Sequence, residues 1–392
     1  MSTAEVVRVV VSAYALFWAA YALAIPVIAG LRRRRPDAVV PEAGSMPSIA
    51  VVVPAHNMAK VIARCIGSLK ACRFPSEKLA IHVIADHCTD DTAARAAGLG
   101  VTVLKRDDGQ AGKSYALAWT FEKLAERGVR ADQYVVTDAT AWVDAGFLAA
   151  LAARRSAGED IVVGRSVAAT ENQPWFVHCL ALTLVHRNYQ NECRERLGLS
   201  SLIEGRGMAY GDGYIGRHGW SLAIPAGNPH AVHPTEDWRH GVRVVEHGYR
   251  VAFAGDARVY TPLRESLAAA TQQGARWERG RMVNAMTHGL RLLRIGLREF
   301  DRLKIFAALD AIQLPVAILG ALTVVLAAIA CIWPASRPVQ VLGFLPLAVF
   351  GLYGLVVAWR GRREGIRLRT VVWAPVYIAW RSLAFLLAWF RK

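Results

Sequence analysis

IAVVVPAHN spans residues 49–57, LAIHVIADHCTDD residues 79–91 and QYVVTDAT residues 133–140. Each string opens as a short apolar run and closes on polar residues. Strands are expected at 49–53, 79–85, 101–104 and 133–137. Helical patterns at about 59–71, 91–97 and 113–127 fall between them. Strands of this kind alternating with helices predict an α/β sheet covered on both faces. In such sheets ligands sit beyond the carboxyl ends of the strands. Three polar clusters end three successive strands: Pro54 to Asn57, Asp86 to Asp91, and Asp138 to Thr140. A lone Asp after a strand usually caps a helix. Three acidic or polar ends in one sheet point to a site.

Working outward, the flanks are of another kind. Residues 9–30 carry no charge and are long enough to span a bilayer. No small-residue cleavage site follows, so an anchor is expected there. Arg32 to Arg35 mark its far side as cytoplasmic. Uncharged stretches recur at 312–333 and 339–359. They are followed at 360–369 by five arginines against the single acid Glu364, again a cytoplasmic signature. A fourth apolar stretch at 370–390 has Arg381 in its middle. It either spans with that charge turned inward or lies in the interface. Residues 290–304 mix leucines with Arg291, Arg294, Arg298 and Arg302, the pattern of a helix lying on a membrane surface. The soluble domain expected between these segments is 36–289.

Composition agrees with a mixed protein. Hydrophobic residues make up 54% and charged residues 20%, which excludes both a disordered chain and an all-membrane one. The net charge of +16 invites a nucleic-acid reading. Much of the excess flanks the apolar stretches, and no nucleic-acid-binding motif is present, so nucleic acid is not an expected partner. The six cysteines form no CxxC pair and read as small core residues.

Further motifs lie between 112 and 277: GKSYAL at 112–117, GRGMA at 205–209, Thr235-Glu236-Asp237, and Gln273-Gly274-Ala275-Arg276-Trp277, a QxxRW pattern. With the three strand ends, and in this order, they resemble the family-2 glycosyltransferases over about residues 48–285. These are inverting enzymes with a GT-A fold, a Rossmann-like nucleotide-sugar domain. Their membrane-embedded members include cellulose, hyaluronan and ceramide glucosyl synthases.

The resemblance implies roles. Pro54, Asn57, Asp86, Lys113, Asp138 and Arg276 would bind the nucleotide-sugar donor, a UDP-sugar, with Arg276 on the diphosphate. Gly207, Gln273 and Trp277 would form the acceptor site. Asp237, with Glu236 beside it, would be the catalytic base that removes the acceptor hydroxyl proton. Taken alone, Thr235-Glu236-Asp237 also reads as a capped helix start. Asp138 would hold Mg²⁺ or Mn²⁺, but Thr140 stands where the family usually carries a second Asp, and Thr is a poor ligand for such ions. His230 or His233 could add a ligand, although a surface role is the commoner one for either.

The implied protein is an integral membrane enzyme of a bacterial inner membrane, with a cytoplasmic catalytic domain and an outer N-terminus. It would join a sugar to a lipid or glycan acceptor. A lipid acceptor with one or few additions is the leading expectation, because three or four spans leave little room for a polymer channel. A processive or short-oligomer polysaccharide synthase and a non-catalytic nucleotide-sugar-binding protein are the alternatives.

Overall fold

The computed structural model describes residues 2–33, 38–203, 205–224, 235–264 and 266–390. His230, His233, Arg34 and Arg35 lie outside them.

The region between the apolar segments is built on one eight-stranded sheet in the order β3-β2-β1-β4-β7-β6-β8-β5. Its strands are β1 (Ile49–Ala55), β2 (Leu79–Asp86), β3 (Thr102–Arg106), β4 (Gln133–Val136), β5 (Trp142–Val143), β6 (Ile161–Ala169), β7 (Met208–Gly211) and β8 (Val251–Pro262). β1 to β4 are mutually parallel where paired, β7 runs antiparallel between β4 and β6, and β5 runs antiparallel to β8. Both faces are covered. Val51 and Val53 point into a core with Ile62, Ile66 and Leu69 of α2 (Ile62–Lys70) and Leu148 and Leu151 of α5 (Phe147–Ser156). Ala50 and Val52 point to the other face, against Leu117, Phe121 and Leu124 of α4 (Lys113–Glu126). That two-sided burial explains why β1 reads as an unbroken apolar run. The remaining short helix on this half is α3 (Thr92–Gly98).

A second group of helices joins the sheet to the apolar segments. α6 (Trp175–Leu197) packs on the sheet, on α1 (Thr3–Leu31) and on α13 (Arg337–Gly361). α7 (Asp212–His218) and α8 (Glu236–Glu246) follow β7. Then come α9 (Leu267–Asn284), α10 (Leu290–Glu299), α11 (Arg302–Ile312), α12 (Val316–Ile332) and α14 (Ala374–Phe390). Among the described residues, Thr3–Leu31 and Arg337–Glu364 are long and apolar enough to cross a membrane. α11 and α12 would add a third span if the pair, bent by 68°, counts as one.

Two segments differ from the sequence expectation. The stretch 312–333 is not one helix: Pro315 lacks an N–H and disfavours a helical Leu314, so the chain bends and α12 starts at Val316. The stretch 290–304 breaks at Phe300, which has φ 52°. Asp301 then caps α11, accepting the N–H groups of Leu303 at 2.8 Å and Lys304 at 3.3 Å. Leu292 of α10 packs on Val242 and Val245 of α8, so part of this amphipathic face is turned to protein. Within 370–390, Arg381 is buried and bonded to Glu278 of α9 at 3.0 Å.

Ion pairs show which segments share a side. Glu364 meets Arg165 of β6 at 3.0 Å, and Arg360 meets Glu192 of α6 at 3.2 Å. The arginine-rich turn after α13 therefore lies on the side of the eight-stranded sheet. At the other end, Arg8 of α1 donates to the Trp333 carbonyl at 3.3 Å, beside the α12–α13 turn.

Candidate active site

The chain leaves β1 for β2 and β3 on one side, then returns to place β4 on the other. This order reverses between β1 and β4, and a crevice opens beyond their carboxyl ends. Pro54 ends β1. Asn57 and His87, just past β1 and β2, adopt φ of 52° and 48°, a region that non-glycine residues rarely occupy. Side chains hold these turns together. Asn57 Oδ1 accepts the Thr89 N–H at 2.8 Å, and His56 Nδ1 lies 2.8 Å from the Asp86 carbonyl.

Asp86 is 4% exposed, and both its oxygens are engaged. Oδ1 accepts from Arg106 at 2.5 Å and lies 3.0 Å from His87 Nδ1, while Oδ2 accepts the Gly112 N–H at 3.1 Å. Asp86 thus ties the ends of β2 and β3 to the start of α4, where Lys113 is the first helical residue.

Lys113 is the hub of the crevice. Its Nζ donates to Asp138 Oδ1 at 2.7 Å and to the Gly205 carbonyl, and lies 3.7 Å from Asp237 Oδ1. Burial works to lower the Lys113 pKa, but Asp138 and Asp237 overcome it and hold the ammonium above its ordinary value. Asp237 is raised above the ordinary carboxylate value of 3.8. Burial is the main cause, Lys113 and Arg206 oppose it, and Asp138 adds to it. Glu236, beside it, is raised chiefly by burial and then by Asp237, and is hydrogen-bonded to Ser114.

Two features fix Asp237. Asn284 of α9 donates to Thr235 Oγ1 at 2.7 Å, which pins the residue preceding α8. Gly205 has φ +80°, and a Cβ placed on it would lie 1.9 Å from Asp237 Oδ2. The carboxylate occupies the space that any other side chain at 205 would need.

From Asp138 and Asp237 a cavity runs along α6 and α9 to the α11–α12 bend and α14. Gln273 and Trp277, one helical turn apart, line it, as does Arg206. The structure does not bring Arg276 or Gly207 to this wall. Arg276 is exposed on another face of α9. Gly207 is buried, its carbonyl accepting the Gly164 N–H at 2.8 Å, and a Cβ there would lie 2.8 Å from Val259 Cγ1. Its φ of +62° and this tight packing account for a glycine at 207.

A divalent cation can be tested against these groups. Among the described residues no three His, Cys, Asp or Glu side chains cluster as a metal site. Asp138 supplies one carboxylate, with Oδ1 shared with Lys113, and Thr140 is two residues on. Mg²⁺ is commonly held by one or two carboxylates together with substrate phosphates. The donor set fits a cation of that kind, held by Asp138 and a diphosphate.

Several residues of the site had no motif to announce them: Asn284, and the buried Gln190, Arg194 and Asp310 along the cavity; Arg206 lay within GRGMA but was assigned no role there. Asp310 is the one charge between Lys304 and Arg337. A lone acid beside an apolar run asks for a buried partner. The structure supplies Arg194, together with Tyr21 at 2.9 Å.

A family profile described as "Glycosyltransferase like family 2" matches residues 47–280, more than half of the chain. The protein therefore belongs to the family-2-like glycosyltransferases and is a glycosyltransferase with a GT-A-like α/β fold. A similar solved structure is the mannosyltransferase PcManGT from Pyrobaculum calidifontis, in complex with GDP-Man and Mn²⁺. It has 17% identity and a TM-score of 0.57, covering 97% of this chain and 100% of that one. S. aureus TarS, also solved in complex with UDP-GlcNAc, aligns with 14–15% identity and a TM-score of 0.42, covering 81% of this chain and 92% of that one. A search of curated proteins finds no significant match.

Proposed function

We propose that this glycosyltransferase moves a sugar from a nucleotide sugar, a UDP-sugar, to a hydroxyl of a membrane lipid, with inversion, giving a β-glycoside from an α-linked donor. The observation that carries the reading is the position of Asp237. It stands where the strand-end crevice, with Lys113 and Asp138, meets the cavity that runs to the apolar helices.

In this reading the donor lies across the ends of β1 and β4. Pro54 and Asn57 shape the base pocket, and Asp86 organises it through Arg106 and Gly112. Lys113 and Arg206 face the diphosphate, and Arg276 joins them only if α9 turns. A cation on Asp138 would offset negative charge on the departing nucleotide. Gln273 and Trp277 border the acceptor, Trp offering an apolar plane and one donor. Asp237 takes the acceptor proton as the hydroxyl oxygen attacks the anomeric carbon. Burial holds its basicity above that of an exposed carboxylate, and Lys113 opposes that rise. Glu236 lies beside it and adds negative charge.

The catalytic side faces the cytoplasm of a bacterial inner membrane. The arginines of 360–369 support this, since ion pairs put them beside the sheet.

The reading sets a pH dependence. Asp237 must be ionised, so kcat/KM rises with pH through its raised pKa. Lys113 opposes the rise in that pKa. In Lys113→Met the acid limb of the kcat/KM profile is therefore expected to move to higher pH, whatever happens to its plateau. A limb that stays in place or moves to lower pH would remove Asp237 from the base role.

The function itself is tested with detergent-purified protein, UDP- and GDP-sugars and a membrane lipid extract, read by mass spectrometry. New glycolipids carrying one or a few sugars are expected. Long polysaccharide made from donor alone, without lipid, would overturn the lipid acceptor in favour of a polymerase.

A further inference from the structure

α10 is packed on one side only. Leu292 is fully buried and lies against α8. A Cβ on Gly296 would lie 2.9 Å from the Ile305 backbone nitrogen, so α10 and α11 touch there. The opposite face is open. Leu290 and Leu297 are 42% and 56% exposed, and Phe300, at the break between the two helices, is 91% exposed. Leu290 and Leu297 are two turns apart and share one edge of the helix. Arg294 sits between them, and Arg291 and Arg298 occupy the adjoining edge.

The charges beside this face are paired unevenly. Arg291 meets Glu246 of α8 at 2.8 Å. Both acids of the segment are engaged: Glu299 pairs with Lys304, and Asp301 caps α11. Arg294, Arg298 and Arg302 are exposed and meet no carboxylate among the described residues.

The neighbours of α11 set the depth of the face. Leu303 and Phe306 pack with Ile25 and Ala29, near the end of α1. Tyr21 stacks on Phe306, with ring centroids 6.3 Å apart, and Arg8 at the other end of α1 meets Trp333 after α12. α11 and α12 therefore run back along α1. Phe300, just before Leu303, lies level with the end of α1, where Leu31 gives way to Arg32 and Arg33. Single exposed apolar side chains are ordinary on a protein surface. Three in one short segment, edged by unpaired arginines at the level where a spanning helix ends, mark a lipid contact. A second copy does not suit the face, since a two-fold contact would set these arginines against their own images.

We infer that the open face of α10, with Phe300, is a binding surface for anionic phospholipid. Leu290, Leu297 and Phe300 enter the outer part of the acyl layer, and Arg294, Arg298 and Arg302 lie among the phosphates. Leu292 carries this contact to α8, whose first turn holds Asp237, so the active site is kept near the headgroup layer. The inference rests on α1 crossing the membrane and not on the identity of the acceptor.

The test uses the full chain in lipid nanodiscs, of dioleoyl phosphatidylcholine alone or mixed equally with dioleoyl phosphatidylglycerol. Phe300→Cys carries a bimane label in a Cys331→Ser chain, because Cys331 is the exposed native cysteine. Cys331→Ser alone is the blank. Two quenchers report the surroundings: a phosphatidylcholine with a nitroxide on its acyl chain, and iodide in the water. Lipid quenching is expected to exceed iodide quenching at least 5-fold in the mixed discs, and to fall at least 2-fold in phosphatidylcholine alone. The triple variant Arg294→Gln, Arg298→Gln and Arg302→Gln is expected to lose that response to phosphatidylglycerol. Leu297→Cys carries the same readout should the Phe300 variant fail to fold.

Iodide quenching that dominates in both discs would put the face in water and overturn the inference. Shielding from both quenchers would mean that protein covers the face, a second copy or another partner, and would overturn it too. Lipid quenching that ignores phosphatidylglycerol, or responds to it equally in the triple variant, would remove the anionic recognition and the inference with it. A wild-type chain that does not enter the discs would remove the anchor on which it rests. The acceptor reading is decided separately, by the transfer assay above.

Discussion

Asp237→Asn is expected to lower kcat roughly 10²- to 10⁴-fold, the range associated with loss of a positioned proton acceptor, while nucleotide-sugar affinity stays within a few-fold of wild type. The amide keeps the shape of the carboxylate and removes its basicity. Lys113 retains its 2.7 Å bond to Asp138 and its bond to the Gly205 carbonyl, so the donor side of the crevice is not dismantled. Steady-state turnover and donor titration together separate the two effects. A variant that turns over at a near-normal rate would remove Asp237 from the chemistry. Equal losses in donor binding and turnover would make it a donor ligand.

Gly205→Ala is the second large effect. The added Cβ would sit 1.9 Å from Asp237 Oδ2 and 2.5 Å from its Cγ, so the carboxylate must move. A displacement of about 1 Å at a reacting group can cost on the order of 10²-fold in rate. The φ of +80° adds backbone strain of about 1–2 kcal/mol for any L side chain. Gly128→Ala separates strain from displacement. Gly128 has φ +67° and nothing within 4 Å of the added Cβ. It is expected to lose a similar amount of stability and keep full kcat. Gly205→Ala with unchanged kcat would show that the Asp237 position does not matter to the reaction.

The sheet was readable because its strands are buried on both faces and end on polar residues. Val51 to Val53 could hardly be read otherwise, and the strand ends pointed to Asn57, Asp86 and Asp138. The meeting of Lys113 with Asp138 and the approach of Asp237 were not legible, because residues 113, 138 and 237 are joined only by the fold. Motif order placed Gln273, Arg276 and Trp277 in one site. Helical geometry divides them, with two on the cavity wall and Arg276 on another face of α9. Near the membrane helices, hydropathy located apolar runs but not their breaks. Pro315 and the Asp301 cap each cut a run that looked continuous. The buried Gln190, Arg194 and Asp310 were hidden for a similar reason: α6 carries polar residues that look solvent-facing until α1, α11 and α13 cover them.

The most direct measurement follows isotopically labelled sugar from a nucleotide donor into the lipid phase, with wild-type protein and Asp237→Asn assayed side by side over a panel of UDP- and GDP-sugars. The account predicts label in a glycolipid for wild type with at least one donor, and at least a hundredfold less in the variant, although the variant still binds that donor. Equal incorporation by the two proteins, or donor binding by wild type with label entering no lipid under any condition, would contradict it.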